Sequence, residues 1–336
     1  MTGPARDIDI LVVGELNPDI VVSDDDPIPV FGEVERVVRS IGMTIGSSSA
    51  IFACGAARLG LRVAFGGVVG DDQFGRFMLE AMAARGIDVA ACTVDAARPT
   101  GATVILSSGR DRAMLTAVGT IGALDVSKVP AALVARARHV HLGAYFLQGG
   151  AGDGAGGGGG GGRLPAFFAA ARAQGITTSF DTNWDPTERW DGGVAEMLRS
   201  CDVFLPNALE ARRISGKDDV EDAARELVRI GGIGRPDGGP IVAVKLGSQG
   251  ALAVGPGTPL VRVPAMPVGV VDTTGAGDSF NAGFLRAWLD GGSIEDALRL
   301  GAACGALSTR AMGGVDAQPT HPEAVEALRR WAASPP

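Results

Sequence analysis

The chain has 336 residues, of which 46% are hydrophobic, and it carries a formal net charge of −8. This length allows a substantial buried core, while the acidic balance argues against non-specific binding to nucleic acid or to an anionic membrane surface. No apolar run approaches the roughly 20 residues that a membrane span needs, and the N-terminus leads into a strand-like run rather than a signal peptide. The sequence therefore predicts a cytoplasmic protein with neither nucleic acid nor membrane as a partner.

Short apolar runs alternate with amphipathic helical patterns, which is typical of an α/β protein with a mostly parallel sheet and helices on both faces. The predicted core strands are Ile10–Val13, Val63–Val69, His139–Leu142, Thr177–Phe180, Val203–Leu205 and Ile241–Lys245. The predicted helices are Ala50–Leu59, Phe74–Arg85, Leu164–Gln174, Val220–Ile230, Ser279–Leu289, Ile294–Ser308 and Pro322–Ala333.

Three stretches depart from this alternation. Val21–Ser40 and Thr100–Val118 have strand-like patterns without an intervening helix of ordinary length, so they are expected to form a small separate sheet. Residues 149–162 end in seven consecutive glycines. Polyglycine loses the most backbone entropy on ordering and has no side chains to bury, so this stretch is predicted to be a flexible loop.

The most informative segment is Asp272–Asp278, of sequence Asp-Thr-Thr-Gly-Ala-Gly-Asp. It follows an extended segment and precedes a predicted helix. Small residues at a helix entrance present backbone N–H groups at the positive end of the helix dipole, which favours an anion. Asp278 lies at the same place, where a carboxylate could take a proton from a hydroxyl while the amides hold a phosphoryl group. The simpler interpretation is that Asp278 caps the helix.

This segment resembles the C-terminal signature of the PfkB-type carbohydrate kinases, the ribokinase-like group. The similarity extends from Val12–Asp19 to Ala317–Thr320. It implies one ribokinase-like domain over residues 1–336, a three-layer α/β/α fold whose lid segments, at about 20–42 and 98–120, cover the sugar. It also implies ATP-dependent phosphorylation of a hydroxymethyl group, with Mg²⁺ as a cofactor. The general base would be Asp278, and the amides of three residues would form the anion hole: Gly275, Ala276 and Gly277.

Candidate nucleotide and metal residues follow other predicted strands, where ligands of α/β sheets bind. Asn207 and Glu210 match the family's Asn-x-x-Glu motif, which implies that Asn207 binds the nucleotide and that Glu210 holds water on Mg²⁺; a helix-capping box is the alternative. Lys245 and Gly247 correspond to a turn that lies against the nucleotide, unless they form an ordinary turn with a solvated lysine. Asp181 is expected on the phosphate side of the cleft.

Candidate acceptor residues belong to the lid and its approach. Asp19 leaves the first strand toward the lid, and the resemblance implies that it accepts hydrogen bonds from sugar hydroxyls; an Asp after a proline is otherwise usually a turn residue. Arg112 could reach the acceptor from the lid, although a solvated hairpin arginine is the plainer interpretation.

The N-terminal signature departs from the family pattern. The family usually has Gly-Gly, three variable residues and then Asn, whereas this chain has Ile45 for the first glycine and Ala50 for the asparagine. Gly46 and Ser47 are the candidate contacts with the acceptor, and the hydroxyls of residues 47–49 could replace the missing amide. Ribose specificity is therefore not implied.

Several expectations concern ions, partners and acceptors. Asp272 and Thr274, with main-chain carbonyls near residues 308–316, could hold K⁺ as in many relatives. Exposed lid strands are templates for pairing, so a homodimer through the lid is a hypothesis. The predicted function is phosphorylation of a small sugar or sugar derivative. The alternatives are a nucleoside kinase of the same fold and a non-catalytic sugar-binding regulatory protein.

The histidines and cysteines do not suggest a further site. His139 and His141 have no metal-ligand spacing and are predicted to be hydrogen-bonded core residues. The four cysteines are scattered through apolar surroundings and are predicted to be free thiols.

Overall fold

The computed structural model describes residues 6–108, 112–148 and 163–333. The glycine-rich stretch 149–162 lies outside the described residues, so its predicted flexibility stays a prediction.

The largest sheet has eight strands. They are β1 (Ile8–Val13), β4 (Val63–Gly66), β9 (Ala137–Leu142), β10 (Thr177–Phe180), β11 (Val203–Phe204), β12 (Ile241–Lys245), β13 (Ala251–Val254) and β14 (Val261–Val263). Their order is β14-β13-β12-β11-β10-β9-β1-β4. The run from β12 to β4 is parallel, whereas β13 and β14 join antiparallel at one edge.

Ten α-helices lie within the described ranges. They are α1 (Ser48–Arg58), α2 (Gln73–Ala83), α3 (Ala131–Arg136), α4 (Arg163–Ala173), α5 (Val194–Ser200), α6 (Ala208–Ser215), α7 (Val220–Gly232), α8 (Ala276–Leu289), α9 (Ile294–Ser308) and α10 (His321–Ala333). One buried cluster joins the sheet to α1, α2, α8, α9 and α10, and a second joins it to α3 through α7. The molecule thus has the expected three-layer α/β/α architecture, because each face of the sheet buries its own set of helices.

The strand sequences explain this arrangement. In β1, Ile10 and Val12 pack into one cluster while Leu11 and Val13 pack into the other, as the two-residue period of a strand requires. A strand that is apolar on both faces fits a sheet covered on both sides. Because the parallel strands end at one edge, the polar residues that follow them converge there.

A separate four-stranded sheet contains β2 (Pro18–Ser23), β3 (Ser40–Ile45), β7 (Ala102–Ser107) and β8 (Arg112–Ala117), in the order β3-β2-β7-β8. Its strands come from the two segments predicted to leave the main sheet. The strands begin and end elsewhere than expected, since no strand lies between Ser23 and Ser40.

Some predicted boundaries are wrong. The predicted strand Val63–Val69 is divided at Gly67, so that β5 (Val68–Gly70) leaves the main sheet and pairs with β6 (Thr93–Asp95). A Cβ at Gly67 would lie 2.8 Å from the Phe65 ring and 3.0 Å from the Gly14 carbonyl oxygen, which explains the glycine at this bend. Helix α8 begins at Ala276 rather than Ser279, while β13, β14, α3 and α5 were not predicted.

None of the helices in the described part of the chain combines the length and the apolar character that a membrane span requires.

Candidate active site

Asp278 lies in the first turn of α8 but does not cap it. The N-cap is Gly275, whose backbone is left-handed with φ of 70° and which offers no side-chain cap. A Cβ at Gly275 would lie 2.8 Å from both Gly314 Cα and Ile51 Cγ2, so glycine is required there for space as well as for conformation. Amides in a first helical turn lack intrahelical acceptors. The turn around Gly277 and Asp278 therefore combines available N–H groups with a carboxylate.

The Asp278 carboxylate is held by Ser48, whose hydroxyl donates to Oδ1 over 2.8 Å. Asp278 is partly exposed toward the cleft, yet enough protein surrounds its carboxyl that desolvation, followed by the charge of Asp181, raises its pKa to about 8. The ammonium of Lys245 and the Ser48 hydrogen bond act in the opposite direction. A carboxyl with its pKa near neutrality is suited to proton transfer.

Lys245, Asp181 and Asn281 form a connected group beside this carboxylate. Lys245 Nζ lies 2.5 Å from Asp181 Oδ2 and 3.2 Å from Asn281 Oδ1, and Asn281 Nδ2 donates to Asp181 Oδ2 over 2.6 Å. Desolvation opposes ionisation of Asp181, but the charge and hydrogen bond of Lys245 lower its pKa. The pair is therefore ionised, and the alternative of a solvated lysine is wrong.

Gly247 follows this pair in an exposed turn at the end of β12, with φ of 59°.

Asn207 and Glu210 form a complete capping box at the start of α6. The backbone N–H of Asn207 donates to Glu210 Oε2 over 2.8 Å, and the backbone N–H of Glu210 donates to Asn207 Oδ1 over 2.9 Å. Burial, followed by the charge of Asp181, raises the pKa of Glu210 to about 7, against the effect of Lys245. The helix-capping box that the sequence offered as an alternative is thus present. The pKa of its glutamate also responds to the charges of Asp181 and Lys245.

Asp19 is a buried residue of β2, so the interpretation as a turn residue is wrong. Desolvation raises its pKa to about 7, while the charge of Arg112 lowers it and that of Asp272 raises it. Gly46 lies directly against it, because a Cβ at Gly46 would be 2.2 Å from Asp19 Oδ1. A larger residue at position 46 would displace this carboxylate.

Arg112 connects the small sheet to the segment Asp272–Asp278. Its Nη1 donates to Thr274 Oγ1 over 2.7 Å, and Thr274 Oγ1 donates in turn to Asp272 Oδ1 over 2.8 Å. The other Asp272 oxygen accepts the Gly313 N–H over 2.9 Å, and the Asp272 N–H donates to the Thr309 carbonyl over 3.1 Å. The loop around Asp272 is thus tied both to the small sheet and to the segment after α9.

The hydroxyls of the three serines after Gly46 all donate hydrogen bonds, two of them to Glu15 and that of Ser48 to Asp278. Ser47 is the N-cap of α1 and donates to the Glu15 carbonyl over 2.6 Å. Ser49 is fully buried and its hydroxyl donates to Glu15 Oε2 over 2.6 Å. Ala50, which replaces the family's asparagine, is buried without exposed surface.

The sequence analysis gave no role to Glu15 or Asn281, and it placed Ser48 among the hydroxyls of residues 47–49 that could contact the acceptor rather than beside Asp278. Asn281 follows Asp278 by three positions on α8, a spacing that places both on one helical face and could have identified it. Ser48 and Glu15 have no comparable signal, because their partners are distant in the chain or hidden in a run of serines.

The strand histidines are hydrogen-bonded core residues, as predicted. His139 Nε2 and His141 Nδ1 share the Ser179 hydroxyl at 2.6 Å and 2.7 Å, and desolvation lowers the pKa of both rings. Cys54, Cys201 and Cys304 are buried free thiols, and the free thiol of Cys92 is partly buried. No group of three or more His, Cys, Asp or Glu side chains within the described ranges has the arrangement to hold a metal ion.

Residues 7–321 match the family model described as pfkB family carbohydrate kinase. An ATP-dependent ribose-1-phosphate kinase from Halopiger xanaduensis is 30% identical over 93% of this chain and 95% of its own length. A nucleoside kinase from Methanothermobacter thermautotrophicus is 28% identical over 99% of both chains. The crystal structure of a putative ribokinase II from E. coli, in complex with ATP and Mg²⁺, superposes with a TM-score of 0.77 at 22% identity, over 96% of this chain and 99% of that one.

The match over almost the whole chain, together with the three-layer fold, confirms the resemblance found in the sequence. The named kinases among the relatives show an enzyme rather than a non-catalytic binding protein. The chain belongs to the pfkB family and is an ATP-dependent carbohydrate kinase.

Proposed function

We propose that this kinase transfers the γ-phosphoryl group of ATP to the hydroxymethyl group of a small sugar or sugar derivative, with Asp278 as the general base. The observation that carries the proposal is the placement of the Asp278 carboxylate, with a pKa of about 8, in the same helical turn as the amides of Gly275, Ala276 and Gly277. The acceptor oxygen attacks phosphorus, the bond to ADP breaks, and the hydroxyl proton passes to Asp278. The amides would stabilise the charge on the phosphoryl oxygens, that of Ala276 in place of its 3.3 Å hydrogen bond to the Thr273 carbonyl.

The surrounding charges support a magnesium-bound nucleotide. Asp181, Glu210 and Asp278 all act on a single ammonium, that of Lys245, and the negative charge of Asp181 helps to raise the pKa values of both Glu210 and Asp278. A divalent cation would relieve it. Mg²⁺ commonly keeps several waters and is held by few carboxylates. We infer that Glu210 holds this hydrated ion, which would neutralise phosphate charge, and that Asn207, Lys245, Gly247 and Asp181 lie along the nucleotide.

We infer a K⁺ site around the side chains of Asp272 and Thr274. The segment after α9 lies against Asp272 through Thr309 and Gly313, so it brings main-chain carbonyls near these side-chain oxygens. Turnover compared in equal concentrations of K⁺ and Na⁺ tests this site. Equal rates in the two salts would remove it.

We infer that the acceptor lies between Asp278 and the small sheet. Asp19 and Gly46 form one wall, Ser47 lies at the start of α1 behind them, and Arg112 closes over the loop at Thr274. A carboxylate accepts hydrogen bonds from two vicinal hydroxyls, which fits a sugar. The ribose of a nucleoside offers the same hydroxyls, so a nucleoside acceptor remains the second candidate, in keeping with the nucleoside kinase relative.

The decisive experiment is ADP release with Mg·ATP across pentoses, hexoses, sugar acids, sugar phosphates and nucleosides. Wild type is compared with Asp278→Asn and with the control Asp290→Asn, whose carboxylate pairs with Arg286 at the far end of α8. We expect acceptor-dependent turnover to fall by about 10²- to 10⁴-fold in Asp278→Asn alone. Unchanged turnover in that variant would remove Asp278 as the base, and turnover with nucleosides only would select the second candidate.

A homodimer through the small sheet is part of the proposal. The strand register places Ile20, Met43, Val104 and Leu115 on one face, whereas Asp19 lies on the opposite one. Leu115 is 63% exposed, and Ile41, on the same outer face, is 67% exposed. An exposed apolar sheet face of this kind typically marks a protein interface.

Light scattering at micromolar concentration tests the dimer. We expect the mass of a dimer for wild type and of a monomer for Leu115→Asp. A monomeric wild type would exclude this partner.

A further inference from the structure

We propose that Ser48 is a positioning residue for the base: its hydroxyl orients the Asp278 carboxylate and favours the form that accepts a proton. The inference rests on the proposed role of Asp278. It gives a function to a serine in the segment where this chain departs from the family signature.

The first observation is the contact itself. Ser48 is the first residue of α1, and its Oγ lies 2.8 Å from Asp278 Oδ1 although the two residues are 230 positions apart. The contact joins the first turn of α1 to the first turn of α8. A carboxylate held through one oxygen presents the other in a defined direction, which general-base catalysis requires.

The second observation is that the turn carrying Ser48 is fixed from both sides. Before it, Ser47 donates to the Glu15 carbonyl and caps the helix. After it, Ser49 donates to the buried Glu15 carboxylate through both its N–H, over 3.2 Å, and its hydroxyl, over 2.6 Å. A Cβ at Gly14 or Gly143 would lie 2.0 Å or 2.4 Å from Ser49 Oγ, so the chain has no room to shift there. Ser48 is therefore presented to Asp278 by a rigid turn.

The third observation is the set of charges around Asp278. Asp181 at the end of β10 and Glu15 after β1 disfavour its ionisation, whereas Lys245 at the end of β12 favours it. The Ser48 hydroxyl, from α1, adds to the effect of Lys245 because it donates to the charged form. Without this hydrogen bond, the carboxyl would need a higher pH to lose its proton.

The test compares wild type with Ser48→Ala and Ser48→Thr, which keeps the hydroxyl. The readout is kcat/KM for the acceptor from about pH 6 to about pH 10. For Ser48→Ala we expect the rising limb to move upward by about one pH unit, which is about a tenfold loss below the midpoint, with recovery at high pH. We expect Ser48→Thr to restore the wild-type profile.

A second measurement separates positioning from a structural role. In the Asp278→Asn background, adding Ser48→Ala should leave the residual turnover unchanged, because the residue acts through the carboxylate. A loss of the same factor at every pH, or a raised acceptor KM with an unmoved pH profile, would overturn the proposal.

Thermal unfolding of each variant identifies loss of fold. If wild type showed no turnover with any acceptor, the proposed function would fail, whereas a double-mutant cycle on unfolding free energy would still measure the contact between Ser48 and Asp278.

Discussion

Two walls of the cleft differ in how their side chains are held. The phosphoryl wall consists of Asp181, Lys245 and Asn281, which come from the main sheet and α8 and bond directly to one another. The acceptor wall consists of Asp19, Gly46 and Arg112, which belong to the small sheet or adjoin it. In the proposed function, phosphoryl transfer is thus assigned to the core of the fold and acceptor recognition to a peripheral sheet.

The largest effect should come from breaking the phosphoryl wall. Lys245→Met leaves the Asp181 carboxylate buried without its cation, and loss of one partner of a buried ion pair typically costs about 3–5 kcal/mol of unfolding free energy. Urea unfolding measures this cost. We expect the double variant Lys245→Met/Asp181→Asn to recover part of it, and the exposed control Lys217→Met to unfold like wild type. A single variant as stable as wild type would show that the wall is not stabilised by this pair.

A smaller effect concerns how much the raised pKa of Asp278 lowers the unfolding free energy of the protein. The pKa of Asp278 rises from 3.8 to about 8 on folding, so between these values the folded protein holds the proton more tightly than the unfolded chain. The unfolding free energy of the wild-type protein should therefore fall as the pH rises from about 4 to about 8, because the unfolded chain gives up the Asp278 proton more readily than the folded protein does. Asp278→Asn should be more stable than wild type at pH 8, by on the order of 2 kcal/mol.

Urea unfolding of Asp278→Asn and wild type at pH 5 and pH 8 checks this expectation, with Asp290→Asn as the control. The same difference between variant and wild type at both pH values would contradict it.

The smallest effect should follow from perturbing the acceptor wall. Gly46→Ala would drive a methyl group into the Asp19 carboxylate, so we expect the acceptor KM to rise about tenfold or more while the KM for ATP is unchanged. Gly42→Ala, within β3 just before Gly46, is the matched control, because a Cβ there meets no atom within 4 Å. Steady-state kinetics with each substrate varied in turn decide the matter. Equal acceptor KM values for the two variants would remove Gly46 from this wall.

The same contrast explains what the sequence could predict. Asp181 and Lys245 of the phosphoryl wall were predictable, because Asp181 follows one apolar strand, Lys245 ends another, and parallel strands end at one edge. The partner of Ser48 was not, since nothing local marks a contact across 230 positions. Glu210 illustrates a different difficulty: its spacing from Asn207 fits a capping box and a metal site equally well, and the capping box is present.

In the fold, prediction failed where packing outweighs local pattern. The run Val63–Val69 is apolar on both sides of Gly66 and Gly67, and the chain turns at Gly67 toward a different partner strand. The short strands β13 and β14, at one end of the main sheet, have patterns that length and periodicity do not separate from a loop or a buried helical segment. The small sheet was predictable because its two segments lack the helix that a parallel crossover requires.

The link between β3 and α1 has a practical consequence for redesign. Only Gly46 and Ser47 separate the last residue of β3 from Ser48, whose hydroxyl donates to Asp278, the proposed base. A library that randomises β3 to obtain a new sugar preference would therefore change residues next to the turn proposed to position the base, and any variant that shifted this turn would be lost for reasons unrelated to recognition. Strands β7 and β8 approach the loop before α8 through Arg112, whose hydrogen bond goes to Thr274 rather than to Ser48 or Asp278, so these strands are the better place to introduce diversity.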